Sequence, residues 1–133
     1  LRLEIGPRDI ENGQCVLARR DTGEKVVVAL NEVNEKIAEM LKDIQSNLYN
    51  KAKARREEMT YTAKTLEEFK EIADNRPGFI KAMWCGCREC EDKIKEYAGV
   101  TSRCIPFESE EISDTCVVCG KKADKMLYWG KAY

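Results

Sequence analysis

The feature that most limits what this chain can fold into is a pair of cysteine clusters. Cys85-Gly86-Cys87-Arg88-Glu89-Cys90 forms the first and Cys116-Val117-Val118-Cys119-Gly120 the second, with Glu91 to Thr115 between them. Zinc held by thiolates takes four sulfurs in a tetrahedron, usually as two pairs from distant segments. The CxxC-Gly form lets the chain turn tightly around a metal. Five cysteines therefore compete for four positions. Cys87 with Cys90 makes an ordinary CxxC pair. Cys85 with Cys90 makes a C-x4-C pair, with one ligand at a strand end and the other in the first turn of a helix, where the helix N-terminus favours a thiolate. Spacing does not decide between them. A tetrathiolate site would carry negative charge that Lys121, Lys122 and Arg88 can offset. It needs no open coordination position and reads as structural.

The remaining cysteines, Cys15 and Cys104, each sit inside a strand-like run and are expected as buried core thiols. The chain has seven cysteines and no histidine. An odd count in this grouping does not resemble a disulfide scaffold and suggests a reducing compartment. Lack of histidine excludes a Ser-His-Asp or Cys-His centre. A redox CxxC is the competing reading of the pairs, but no thioredoxin-like strand-helix-strand pattern surrounds either.

The formal net charge is −1, with 35% charged residues of balanced sign, so RNA binding would have to come from a local basic patch. No apolar run is long enough to span a bilayer, and no signal peptide is expected. Strand-like alternation starts at the first residue without a Met, and we expect the chain to be a piece of something longer.

Along the chain, Leu1–Ile5, Gln14–Arg20 and Lys25–Leu30 read as strands, the last two joined by the turn Asp21-Thr22-Gly23. From Asn31, a potential cap, the residues Val33, Ile37, Met40, Leu41, Ile44 and Leu48 recur at helical spacing and predict a helix to about Glu58. Its basic end, Lys51, Lys53, Arg55 and Arg56, fits a solvated helix C-terminus, with an RNA-backbone contact as the alternative. Residues 59–64 read as a connector or a fraying helix end. Thr65-Leu66-Glu67-Glu68 is a capping box that opens a helix to about Asn75. Strands are expected near 79–84, 100–107 and 125–129, a helix from Arg88 to Tyr97 closed by Gly99, and an acidic loop over 108–114. The expected class is α+β: a partial mixed-sheet domain with a long helix (1–58), a connector (59–64), then a small α/β zinc domain (65–133).

Two groups of motifs carry a resemblance. Leu3-Glu4-Ile5-Gly6-Pro7-Arg8-Asp9 and Val16-Leu17-Ala18-Arg19-Arg20-Asp21-Thr22-Gly23-Glu24-Lys25 resemble the end of the anticodon-binding domain of prolyl-tRNA synthetases of the archaeal and eukaryotic-like type. Trp84-Cys85-Gly86, Arg88-Glu89-Cys90-Glu91, Arg103-Cys104-Ile105-Pro106-Phe107, Cys116-Val117-Val118-Cys119-Gly120 and Lys131-Ala132-Tyr133 resemble that type's C-terminal zinc domain. The resemblance implies Cys85, Cys90, Cys116 and Cys119 as ligands of one structural zinc, with Cys87 where the family often has another residue. It implies a cytoplasmic parent ligase, a homodimer, that joins proline to tRNA(Pro) through a prolyl-adenylate, using ATP and Mg in a catalytic domain of the same chain. None of that domain's motifs is present here, so no catalysis is expected of this segment. A proline anticodon carries two guanines, and arginines or carboxylates can bond guanine edges in an unstacked loop. Arg2, Glu4, Arg8, Arg19, Arg20 and Lys25 are the candidates for tRNA contact. The terminal carboxylate of Tyr133 is expected to reach toward the catalytic domain. The alternative function is a free-standing four-cysteine zinc module that binds RNA or protein; a thiol oxidoreductase would instead show a redox-active disulfide and no stoichiometric metal.

Overall fold

A computed structural model of the chain describes residues 1–132. Tyr133, with the contact expected of its carboxylate, lies outside the described residues. The fold is α+β and divides into two compact units, Leu1–Ala54 and Arg55–Tyr133. No helix among the described residues is long and apolar enough to cross a membrane.

The first unit contains β1 (Arg2–Glu4), α1 (Pro7–Glu11), β2 (Gln14–Ala18), β3 (Lys25–Ala29) and most of α2 (Val33–Glu58). The three strands form an antiparallel sheet in sequence order. Its period-two pattern sends Cys15, Leu17 and Val28 inward, where they meet Met40, with Val33 and Ile37 packed alongside. Val33, Ile37 and Met40 lie on one helical face, as expected. That face is shorter than the sequence suggests, because Leu41 and Leu48 are each 50% exposed. Length accounts for this: α2 extends ~39 Å, whereas a five-residue strand covers roughly 17 Å. The helix opens at Val33 with the Glu32 carbonyl accepting from Lys36 N, one residue later than a cap at Asn31 would give. The short α1 was not anticipated. Pro7 needs no N–H partner in the first turn, and the Asp9 carboxylate accepts from Gly6 N at 2.8 Å.

The second unit builds a four-stranded sheet in the order β4-β5-β7-β6, from β4 (Thr60–Thr62), β5 (Phe79–Trp84), β6 (Val100–Cys104) and β7 (Lys125–Lys131). The mixed pairing lies here: β4 runs parallel to β5, and the other pairs are antiparallel. Thr60–Thr62 was expected to be connector. It forms an edge strand because the chain comes very close at Gly78, where a Cβ would stand 2.0 Å from Met59 O at φ +138. Only glycine fits there, and Phe79 N can then donate to Met59 O at 2.8 Å, starting the parallel pair.

Helix α3 (Leu66–Asn75) has the predicted capping box, with Glu68 N donating to Thr65 Oγ1 at 3.2 Å. It joins α4 (Arg88–Ala98) over one face of the sheet, burying Phe69, Ile72, Ile94, Val100, Leu127 and Trp129. Phe69 and Trp129 meet edge to face with centroids 5.9 Å apart. β6 stops at Cys104, short of the expected 107. Its pairing with β7 slips between Ser102 and Cys104, and Pro106 has no N–H to continue a ladder. Cys104 is accordingly exposed, contrary to its expected burial, whereas Cys15 is fully buried. β7 runs to Lys131, past the expected Trp129.

Candidate functional site

Two sites stand out, one in each unit. In the second, strand β5 delivers Cys85 immediately after Trp84, and α4 carries Cys90 in its first turn. The loop between them is fixed by Trp84 Nε1 donating to the Cys87 carbonyl at 3.0 Å and by Cys90 N donating to the same oxygen at 3.2 Å. The opposite wall is the 116–120 knuckle. Gly120 N donates to Cys116 O at 3.0 Å, Cys116 N donates to Lys121 O at 2.7 Å, and a Thr115–Lys122 bridge closes the base. Gly120 sits at φ +67, a left-handed conformation that lets the turn close.

The result is a sulfur quartet. The Sγ atoms of Cys85, Cys90, Cys116 and Cys119 all lie within 4.8 Å of one another. Cys85 stands 3.7 Å from Cys90 and 3.8 Å from Cys119. Four sulfurs at ~2.3 Å from a central zinc stand ~3.8 Å apart in a regular tetrahedron, so the donor set and spacing fit that ion. Cys87 is exposed and outside the quartet. Burial pushes the Cys90 thiol well above the ordinary thiol range, and the neighbouring Cys119 and Cys85 add to this. A coordinated cation would reverse that preference at Cys90, since a metal-bound thiol is deprotonated. Nearby positive charge includes one residue missed in the sequence. Lys125 Nζ would stand 3.5 Å from a Cβ on Gly86, over the first cysteine loop. Arg88, expected to offset charge here, is 88% exposed and lies 3.9 Å from Asp92.

In the first unit, Leu1, Arg2, Ala18, Arg19, Arg20, Gly23 and Lys25 line a cleft of about 510 Å³. Strand register assembles it, since Arg2 pairs with Ala18 and Ala18 with Lys25, placing the two cations on one rung across three strands. Glu4 bonds both of them, with Lys25 Nζ at 3.0 Å, and these bonds hold its carboxyl below the usual range. Arg20 is exposed beside the turn. Arg8 is exposed on α1 and is not among the cleft residues. Arg19 lines the cleft but is largely enclosed, its guanidinium taken up by Asp21 and Asp43. Asp21 was read from the sequence only as a turn residue, and Asp43 and Asn47 were not singled out. The spacing of Asp43 and Asn47 along one helical face was the available signal.

Residues 66–133 match the family described as "Prolyl-tRNA synthetase, C-terminal". The chain belongs to the prolyl-tRNA synthetase C-terminal family. Residues 1–40 of this family member also match "Anticodon binding domain". Over its whole length the chain is 62% identical to a proline–tRNA ligase of Clostridium novyi and 55% identical to proline–tRNA ligase 2 of Bacillus cereus, in each case spanning 28% of the relative. A crystal structure of prolyl-tRNA synthetase from Cryptosporidium parvum, complexed with L-proline and AMP, aligns with a TM-score of 0.88 at 32% identity. It covers 99% of this chain and 28% of that one.

Proposed function

We propose that this chain is the segment of a proline–tRNA ligase that reads the anticodon of tRNA(Pro), followed by a zinc-stabilised domain that supports the parent enzyme's architecture. The observation that carries this reading is a coincidence of position: the anticodon-binding match over 1–40 falls on the strands that build the cationic cleft. An RNA loop offers unstacked bases and a phosphate backbone to such a cleft. Arg2, Arg20 and Lys25 would attract the backbone or bond a guanine edge. Glu4 would accept from guanine N–H groups, and Arg8 would act from outside the cleft. On the same reading the first unit carries the anticodon-reading part and the second the zinc domain, which takes in the strand at 60–62.

Cys85, Cys90, Cys116 and Cys119 would hold one structural zinc, which supplies cross-linking of two distant segments and no open coordination position. Ligation of proline with ATP and Mg, a homodimeric assembly, cytoplasmic residence and the reach of the Tyr133 carboxylate toward a catalytic domain are assigned to the parent enzyme. The free-standing zinc module is not favoured, since proline–tRNA ligases align over the whole chain.

The test is a binding titration of the chain with two hairpin RNAs. One presents the two guanines of a proline anticodon in its loop, and the other has adenines in their place. Tighter binding of the guanine hairpin is expected; equal binding of both would refute anticodon reading.

A further inference from the structure

One guanidinium in the cleft is already engaged by two carboxylates. Arg19 Nε donates to Asp21 Oδ1 at 3.0 Å and its Nη2 to Asp21 Oδ2 at 2.8 Å, a fork on one carboxylate. Its Nη1 donates to Asp43 on α2. Asp21 also accepts from Asn47 Nδ2 at 2.6 Å, and its main-chain carbonyl accepts from Lys51 Nζ at 3.4 Å. The side chains of Arg19 and Asp21 are only 9% and 2% exposed. Positions 43, 47 and 51 lie one helical turn apart, so a single face of α2 clasps the β2–β3 turn. Arg20 and Lys25 flank that turn, and Arg2 and Lys25 remain 65% and 57% exposed.

We infer that Arg19 is a positioning residue: through Asp21 and α2 it fixes the β2–β3 turn, so that Arg20 and Lys25 face one nucleotide of a single-stranded RNA loop, while Arg19 touches no RNA itself. This rests on the anticodon reading above. A guanidinium committed to two carboxylates and only 9% exposed presents little of its edge to a base. The turn closes through its own backbone, with Arg19 N donating to Glu24 O at 2.8 Å and Gly23 N to Arg19 O at 3.2 Å, but these bonds set only its shape; the clasp ties it to α2, and opening the clasp would free its aim.

Charge separates this role from simple attraction. Asp21→Asn makes the cleft one unit more positive. If only charge mattered, RNA would bind more tightly and the salt dependence would steepen. Positioning predicts the opposite, a loss of roughly tenfold in affinity for the guanine hairpin with less discrimination against the adenine hairpin. Arg19→Lys keeps the charge but loses the fork, and should weaken binding to a similar degree. The double variant should be no worse than either single one, because all three remove the same interaction. Circular dichroism reports whether each variant stays folded. Asp43→Asn, at a partner that is 63% exposed, probes the same clasp in a milder form and should lose roughly two- to threefold. If Asp21→Asn or Asp43→Asn binds as tightly as the unaltered chain or tighter, or if Arg19→Lys is indistinguishable from it, the positioning role is wrong. If the unaltered chain does not prefer the guanine hairpin, the anticodon reading fails and takes this inference with it.

Discussion

Exchanging Cys85 or Cys87 for serine changes the same few atoms two residues apart, yet the outcomes should differ sharply. Cys85 lies 3.7 Å and 3.8 Å from two other sulfurs of the quartet, and Cys87 is exposed and outside it. Cys85→Ser removes one of four donors, and the metal-binding free energy of such a site is folding free energy for a small domain. A metal present at a thousandfold over its dissociation constant contributes about 4 kcal/mol. Losing that from a unit of this size lowers its melting temperature by roughly 15–30 °C. Cys87→Ser, an exposed change, should stay within about 0.5 kcal/mol of the parent chain. Native mass spectrometry with metal analysis gives the stoichiometry, and thermal unfolding gives the stability. One zinc retained by Cys87→Ser and lost by Cys85→Ser is expected. Zinc lost from Cys87→Ser and kept by Cys85→Ser would transfer the ligand role and refute reasoning from the quartet's geometry.

Two further outcomes follow from the fold. Gly78→Ala places a Cβ 2.0 Å from Met59 O at a φ closed to other residues, so β4 must part from β5; chemical denaturation should show a loss of about 3 kcal/mol or more, and a variant as stable as the parent would contradict the described approach. Arg19 and Asn47 hold the Asp21 carboxyl below its usual range, so its stabilising effect is complete above the ordinary carboxylate pKa and fades as pH falls through the lowered folded value. Denaturation midpoints should fall on acidification below about pH 4, less steeply for Asp21→Asn; identical slopes would show that the clasp does not couple to folding.

Local rules made much of this molecule readable. Thr65 and Glu68 announced the start of α3, Gly99 the end of α4, and the cysteine pairs their common centre. What escaped depends on contacts distant in sequence. Residues 60–62 became a strand only because Gly78 lets the chain return against Met59. Cys104 is exposed because a slipped register and Pro106 end its strand early. Arg19 looked like a free cation beside Arg20, and nothing nearby in sequence revealed that Asp43 would bond it and Asn47 would hold its partner Asp21. The α1 turn is a different case, since Pro7 and Asp9 carried its signal in a stretch too short to show periodicity.

The most direct test of the central claim is a comparison of two steps in the parent ligase carrying Arg20→Ala with Lys25→Ala. Proline activation is followed by pyrophosphate exchange, and tRNA charging by aminoacylation at varied tRNA concentration. Our account predicts unchanged exchange and a KM for tRNA raised by roughly tenfold or more, since each contact to the RNA contributes about 1–3 kcal/mol. Loss of exchange with tRNA affinity intact would contradict it.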